Sequence, residues 1–283
     1  MKKAISIWSF AGQPLRKCME LARDAGFDGI ELAMDGTGEL TPDTADQELN
    51  RILEDSRETG IRIHSIASGL YWDYSFTSDD KAQRDRAEEL ALRQIQIAKT
   101  LQADAVLIVP GAVGVDFLPE RDVVPYDVAY DRALLSFQRL APAAADAQIQ
   151  VGIENVWNKF LVSPLEMRDF IDRVGSPYIG SYFDVGNVVY NGYPEQWIRI
   201  LGNRIKKVHL KDYRRAAGGL HGFVDLLAGD VDWPEVMRAF RDIGYDGYCT
   251  AEMLPPYTCW PEQILYNTAA SMDRIIGKEK CLC

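Results

Sequence analysis

Four residues carry the chemistry this chain could do: Glu154, Asp184, His209 and Glu252. Each closes a short apolar run. Val151-Gly152-Ile153 leads into Glu154, the run from Ile179 ends in Phe183-Asp184, the run from Ile205 ends in Val208-His209, and Tyr248–Ala251 leads into Glu252. Brought to one point, three carboxylates and one imidazole would form an oxygen-rich, negatively charged cluster. Like-charge repulsion makes such a cluster costly unless a cation shares it. The donor set suits a divalent metal ion, Mn2+ first, with Mg2+, Co2+ or Zn2+ as alternatives; structural zinc prefers thiolates. Taken singly, a strand-end carboxylate is more often a cap or an ion-pair partner, and a buried histidine is more often a satisfied core residue. The joint pattern is what counts, in a chain with only 3 histidines, His64, His209 and His221.

The elements that must position these four alternate regularly. Strand patterns fall at Ala4–Trp8, Asp28–Leu32, Ile61–Ala67, Ala105–Val109, Gln150–Glu154, Ile179–Asp184, Ile205–Leu210 and Gly247–Glu252. Helical spacing fills the intervals, over Pro14–Ala25, from Thr41 to Thr59, from Asp79 or Asp80 onward, and over Asp127–Ala147, Pro164–Val174, Pro194–Leu201, Trp233–Ile243 and Pro261–Ile276. Ser163 suits an N-cap and Pro164 the first turn after it. Strands alternating with helices imply right-handed βαβ units and a parallel sheet. Eight such units predict an α/β fold, a single (β/α)8 TIM barrel of about 250 residues. One domain over 1–283 is expected, with a frayed tail from about 278. Function in this fold sits at the strand C-termini, where the long loops Ser68–Thr77, Gly111–Tyr126 and Asp212–Val231 also lie. No G-x-G-x-x-G or Walker A sequence follows a strand, so no nucleotide cofactor is expected.

Bulk composition narrows the partners. The chain has 283 residues, 47% hydrophobic, with a formal net charge of −11. Nucleic-acid and acidic-membrane partners select a basic face, so neither is expected. A small molecule is, and a homo-oligomer (dimer or tetramer) fits the size. The 5 cysteines are odd in number and scattered, which argues against a disulfide framework. The N-terminal apolar run is too short for a signal peptide, so a cytoplasmic location is the default.

Ile153-Glu154-Asn155, Phe183-Asp184-Val185-Gly186-Asn187, Val208-His209-Leu210-Lys211-Asp212 and Ala251-Glu252-Met253 resemble the strand-end motifs of the xylose-isomerase-like TIM barrels. The resemblance runs over nearly the whole chain, from Ala22–Leu32 to Gly244–Tyr248. It implies a metal-dependent sugar or sugar-phosphate epimerase or isomerase, with Glu154, Asp184, His209 and Glu252 as metal ligands and Glu154 and Glu252 as the proton-transfer pair of the ketose 3-epimerases. Elementary chemistry agrees. Epimerising C3 of a ketose removes a proton next to a carbonyl; a divalent ion would stabilise the resulting cis-enediolate as a Lewis acid, and two carboxylates could act as base and acid in turn. Asn187 stands where the free-sugar ketose epimerases and endonuclease IV carry a histidine, and where a phosphopentulose epimerase carries asparagine. That leans towards a phosphorylated sugar, with Lys211, Arg214 and Arg215 as cations for phosphate or hydroxyls. Endonuclease IV needs more histidines and a basic face.

Further substrate contacts are expected from Trp8, Glu31, His64, Asn155, Trp157, Asn158, Lys159 and Asn187. Glu31 could instead be a structural ion pair and His64 a hydrogen-bonded support. Tyr71-Trp72-Asp73-Tyr74 could close over a sugar or meet another subunit, His221 reads as a lid residue, and Asp230 and Asp232 as loop closure and helix capping. Two other enzymatic outcomes share the first proton abstraction, an inosose-type dehydratase and an aldose–ketose isomerase. A non-catalytic sugar-binding barrel is the reading of another class.

Overall fold

The computed structural model describes residues 1–277; the frayed tail expected from about 278 lies outside the described residues. The strands are β1 (Lys2–Ser6), β2 (Gly29–Ala33), β3 (Arg62–Ala67), β4 (Ala105–Ile108), β5 (Gln150–Glu154), β6 (Ile179–Asp184), β7 (Ile205–Leu210) and β10 (Tyr248–Ala251), closed in the order β1-β10-β7-β6-β5-β4-β3-β2. Every neighbouring pair in this barrel is parallel. Both faces of each strand are covered, which is why the runs are continuously apolar rather than alternating. A two-stranded antiparallel ribbon, β8 (Asp212–Tyr213) with β9 (Phe223–Val224), projects after β7.

The helices are α1 (Leu15–Asp24), α2 (Asp46–Thr59), α3 (Lys81–Thr100), α4 (Tyr126–Ala147), α5 (Pro164–Val174), α6 (Val185–Val189), α7 (Pro194–Leu201), α8 (Trp233–Asp242) and α9 (Gln263–Ile275). Their starts follow the expected chemistry. Asp80 accepts from Ala82 N at 2.8 Å, Ser163 Oγ from Glu166 N at 3.2 Å and Asp232 Oδ1 from Glu235 N at 3.1 Å. Most boundaries shift by one or two residues, and two of the differences bear on the site or its frame. Helix α2 begins at Asp46, not Thr41, because Thr44 Oγ1 accepts from Thr41 N at 2.7 Å and closes a separate turn first. Strand β1 ends at Ser6, and Ile7–Ser9 form a 3-10 turn, so Trp8 leaves the sheet at the rim. Among the described residues, no helix is long and apolar enough to cross a membrane.

Two register shifts shape the interior. Between β2 and β3 the pairing steps from Ile30↔Ile63 to Glu31↔Ser65, leaving His64 as the extra residue. Between β6 and β7 it steps from Ser181↔Ile205 to Tyr182↔Lys207. Such bulges re-aim side chains. Here His64 reaches Thr250 Oγ1 at 3.1 Å, while its neighbour Ser65 reaches Glu31 on the other side. His64 also stacks on Tyr248 at 4.5 Å, in space that Gly29 leaves open: a Cβ there would lie 2.8 Å from Tyr248 Cε1.

Candidate metal and substrate site

Strands β5, β6 and β7 are consecutive in the barrel and β10 follows β7, so the ends of these four strands form one arc. Glu154 and Asp184 are the last residues of β5 and β6, His209 lies one residue before the end of β7, and Glu252 follows β10. The Glu252 amide still donates to Leu210 O at 3.3 Å, which holds its side chain at the rim. One ligand atom from each of the four lies within 4.8 Å of all the others. His209 Nδ1 is 3.9 Å from Glu154 Oε1, 3.8 Å from Asp184 Oδ2 and 2.9 Å from Glu252 Oε2. All four residues are buried.

The arrangement fits a divalent ion. Asp184 Oδ1 caps α6 by accepting from Asn187 N at 2.8 Å, while Asp184 Oδ2 has no hydrogen-bond partner. His209 Nδ1 and Glu252 Oε2 are likewise unpartnered: they approach each other without hydrogen-bond alignment. Buried polar atoms are normally satisfied, so three ligand atoms around one point without an aligned hydrogen bond, two of them balanced only by the Lys211 ammonium, indicate a place for a cation. His209 is oriented from behind. Its Nε2 meets Glu31 Oε1 at 2.9 Å, and Glu31 Oε2 accepts from Ser65 Oγ at 2.7 Å and Tyr182 OH at 2.5 Å. A carboxylate behind a ligating imidazole fixes its tautomer and leaves the other nitrogen free for metal.

Lys211 already places a positive charge here. Its Nζ is 3.1 Å from Asp184 Oδ2 and 2.9 Å from Glu252 Oε2. Its backbone comes so close to Gly186 that a Cβ on the glycine would lie 2.4 Å from Lys211 Cβ, which explains the glycine in Asp184-Val185-Gly186-Asn187. Burial pushes the Glu154 carboxyl up, and the Glu252 and Asp184 charges add to this against Lys211 and His209, leaving it at about 8. Burial also favours the neutral form of Glu252, but Lys211 and His209 outweigh it and hold this carboxyl at about 2. Burial alone would lower His209; Glu31 and Glu252 instead raise it well above the ordinary histidine range. Glu31 is lowered because His209 outweighs its burial.

A cavity of about 560 Å3 opens above the cluster, with Glu154, Asn187, Lys211 and Glu252 among its lining residues. Trp8 and Trp157 also line it. The other expected substrate contacts are placed elsewhere. Glu31 and His64 are fully buried in the barrel, Glu31 behind His209 and His64 against Thr250 and Tyr248. Asn155 clamps β5 to β6 by bonding both backbone groups of Asp184, at 2.8 and 2.9 Å. Asn158 is fully buried, donating to Gly111 O and accepting from Phe160 N. Lys159 turns to Asp116 at 2.5 Å. Arg214 donates to Ala228 O at 2.6 Å, and Arg215 to Val189 O at 2.9 Å. Neither arginine is among the residues lining this cavity, and loop carbonyls hold both. Lys211 lines it, with its ammonium against Asp184 and Glu252.

Phe117 and Phe223 line the cavity. In the aromatic quartet only Trp72 does so; Tyr71 is buried with its hydroxyl on Gln94. Tyr182, which steers Glu31, was signalled by its position two residues before Asp184 on the same strand face. His221 is exposed beside a neighbouring cavity, Asp230 Oδ2 accepts from Arg215 N at 2.8 Å, and Asp232 caps α8.

A closed (β/α)8 barrel carrying an acidic and histidine ligand cluster on its C-terminal rim defines a class of metal-site TIM barrels. The profile of the xylose isomerase-like TIM barrel family matches residues 19–274, and the chain belongs to that family. It is 27% identical over 248 residues to an Escherichia coli K12 protein named "Putative L-ribulose-5-phosphate 3-epimerase SgbU", covering 82% of this chain and 81% of the relative. It is 24% identical over 270 residues to L-ribulose-5-phosphate 3-epimerase UlaE of Salmonella heidelberg, covering 93% and 89%. The fold matches a crystal structure of D-psicose 3-epimerase in the presence of D-fructose with a TM-score of 0.80 at 19% identity, over 98% of this chain and 100% of the other. These relatives are named as epimerases, isomerases that act on carbohydrates.

Proposed function

We propose that this chain is a divalent-metal-dependent sugar epimerase that inverts the carbon next to the carbonyl of a ketose, C3 in the simplest case. One observation carries the reading: Glu154 and Glu252 face one cation site from β5 and β10, yet their environments drive them to opposite protonation states. Paired groups pushed apart in this way mark an acid and a base. Glu154, Asp184, His209 Nδ1 and Glu252 would hold the ion, Mn2+ by preference for this mixed oxygen and nitrogen set. When bound, such an ion supplies Lewis-acid polarisation of substrate oxygens.

Glu252, held as an anion, takes the proton from the carbon next to the carbonyl. Glu154, whose surroundings favour the protonated form more than those of Glu252, gives a proton to the opposite face, and the reverse reaction exchanges the roles. The Asn187 amide lies 3.4 Å from Glu154 Oε1 and 3.0 Å from Asn155 O, and orients that carboxyl. Trp8 and Trp157 exclude water from the reacting centre. Glu154→Gln and Glu252→Gln in the Mn2+-loaded protein should each slow deuterium exchange at the epimerised carbon by about 10²–10⁴-fold, the usual contribution of a positioned acid or base. Exchange at the wild-type rate in both variants would overturn these roles.

A further inference from the structure

We infer that the substrate is neutral and larger than a simple ketose: a keto sugar carrying a second ring, seated with the keto end on the carboxylates and the second ring between the aromatic walls. This rests on the epimerase reading and names its substrate class.

Size is the first argument. The cavity holds about 560 Å3. A ketohexose, granted a generous ~30 Å3 for each non-hydrogen atom, occupies roughly 360 Å3. The surplus continues outward, because a second cavity of about 500 Å3 shares Phe117, Val156, Trp157, Asn187 and Leu220 with the first. Volumes of ~300–1,000 Å3 suit ligands of more than one ring.

The wall chemistry is the second argument. Away from the carboxylates the cavity is lined by Trp8, Trp72, Phe117, Trp157 and Phe223. Trp72 packs edge-on against Phe117 at 5.1 Å, and Trp157 lies against Phe223 at 5.2 Å. These paired rings come from the loops after β3 and β4 and from those after β5 and β7. They offer flat apolar faces, Phe223 beside Lys211 with its ring 5.6 Å from the ammonium, and such faces suit the C–H face of a second sugar ring or an aromatic aglycone.

Charge is the third argument, and it sets this chain apart from the phosphate named in its relatives. Among the described residues lining the cavity, Lys211 is the one basic side chain, and it lies at the carboxylate end, with its ammonium 3.1 Å from Asp184 and 2.9 Å from Glu252. The remaining charged side chains there are acidic. Asp212 is saturated by Tyr213 N, Leu227 N, Val231 N and Trp233 Nε1, and Asp225 accepts from Tyr257 OH. In the adjoining space Lys159 pairs with Asp116. A phosphate at the outer end would meet acidic side chains of the cavity and, in the adjoining space, only the exposed His221 and a Lys159 already paired with Asp116, a poorer match than a neutral ring. The proton chemistry itself is unchanged: one C–H proton leaves next to the carbonyl and one returns on the other face.

The test uses the Mn2+-loaded chain in deuterated water with three probes: a free ketohexose, a ketopentose phosphate, and neutral keto sugars whose second ring is either a sugar or an aryl group. The expected result is a kcat/KM for deuterium exchange at least about tenfold higher for a two-ring substrate than for the free ketose, with the phosphate lowest. The two-ring arms distinguish a glycosyl from an aryl occupant. Trp72→Ala and Phe117→Ala should each lower the ratio of two-ring to free-ketose activity about tenfold. Exchange on free ketoses or ketose phosphates with no gain from a second ring overturns the inference and leaves the epimerase reading standing. Absence of exchange on every probe overturns the epimerase reading instead. Calorimetric binding of the same probes then decides the inference: tighter binding of two-ring ligands supports it, and equal or weaker binding overturns it.

Discussion

Replacing Glu31 by Gln changes one atom in a fully buried side chain of β2, a strand that bears none of the four ligands, yet it should weaken the metal site. Glu31 Oε2 accepts from both Ser65 and Tyr182, so that oxygen is best retained as the amide oxygen. The new NH2 group then faces His209 Nε2 at the former 2.9 Å contact. Two donors cannot face each other, so Nε2 must become the acceptor and the imidazole proton must move to Nδ1. That is the atom aimed at Glu154, Asp184 and Glu252. Turning the amide over restores the acceptor at His209 but drives the NH2 group against two hydroxyls at 2.5 and 2.7 Å, shorter than an N–H···O bond prefers. Either arrangement forfeits a charge-assisted hydrogen bond of about 1.5–3 kcal/mol. At ~1.4 kcal/mol per factor of ten, Mn2+ affinity should fall about 10–100-fold, the range seen when a carboxylate behind a ligating histidine is removed. Titration calorimetry against Mn2+ gives the affinity. With only 3 histidines in the chain, nitrogen-15 NMR of the metal-free variant reports the tautomer directly. An unchanged affinity, or a His209 whose neutral form keeps its proton on Nε2 in Glu31→Gln, would refute the reasoning.

Metal uptake should depend on pH with a definite sign. Glu154 is raised to about 8 and His209 is raised well above its ordinary range, so at pH 7 both carry protons that an entering ion must expel. Affinity should therefore rise with pH up to about 8, with proton release measurable by calorimetry in buffers of different ionisation enthalpy; uptake without proton release would contradict this. The same raised carboxyl makes the metal-free fold less stable as pH climbs from the ordinary glutamate range towards 8, which thermal unfolding in chelator can follow. Lys211→Met should destabilise the metal-free protein by about 3 kcal/mol, since it strips the counter-charge from buried carboxylates. It should also tighten Mn2+ binding by removing the competing ammonium. Looser binding in this variant would show that Lys211 supports the ion rather than substituting for it.

The strand-end pattern at Glu154, Asp184, His209 and Glu252 was legible because barrel topology alone brings strand ends together, and topology follows from the order of elements. The orientation of loop side chains was not. Arg214 and Arg215 follow His209 closely and look available, but backbone carbonyls at Ala228 and Val189, remote in sequence, capture them. His64 and Ser65 reach different partners only because β3 carries an extra residue there, and no local propensity announces a bulge set by the neighbouring strand's register. Phe117 sits in an irregular loop and Phe223 in a two-residue strand, both too short or irregular for a periodicity to read. Glu31 was legible as a strand-end carboxylate but not as the partner of His209, since that depends on Tyr182 and His209 entering the barrel at one level.

Asp184 has a consequence for how this site can diverge. One of its oxygens faces the cation site while the other starts α6 on Asn187, and Asn187 O in turn accepts from Trp157 Nε1 at 2.9 Å. Cluster carboxylate, helix start and one aromatic wall are thus a single hydrogen-bonded piece, so any drift in Trp157 is felt at Asp184. Trp72 and Phe117 belong to loops after β3 and β4 and have no such tether to a ligand. New specificities on this scaffold can arise cheaply on that side of the cavity, while the side bearing Trp157 is bound to keep its shape if Asp184 is to stay in the cluster.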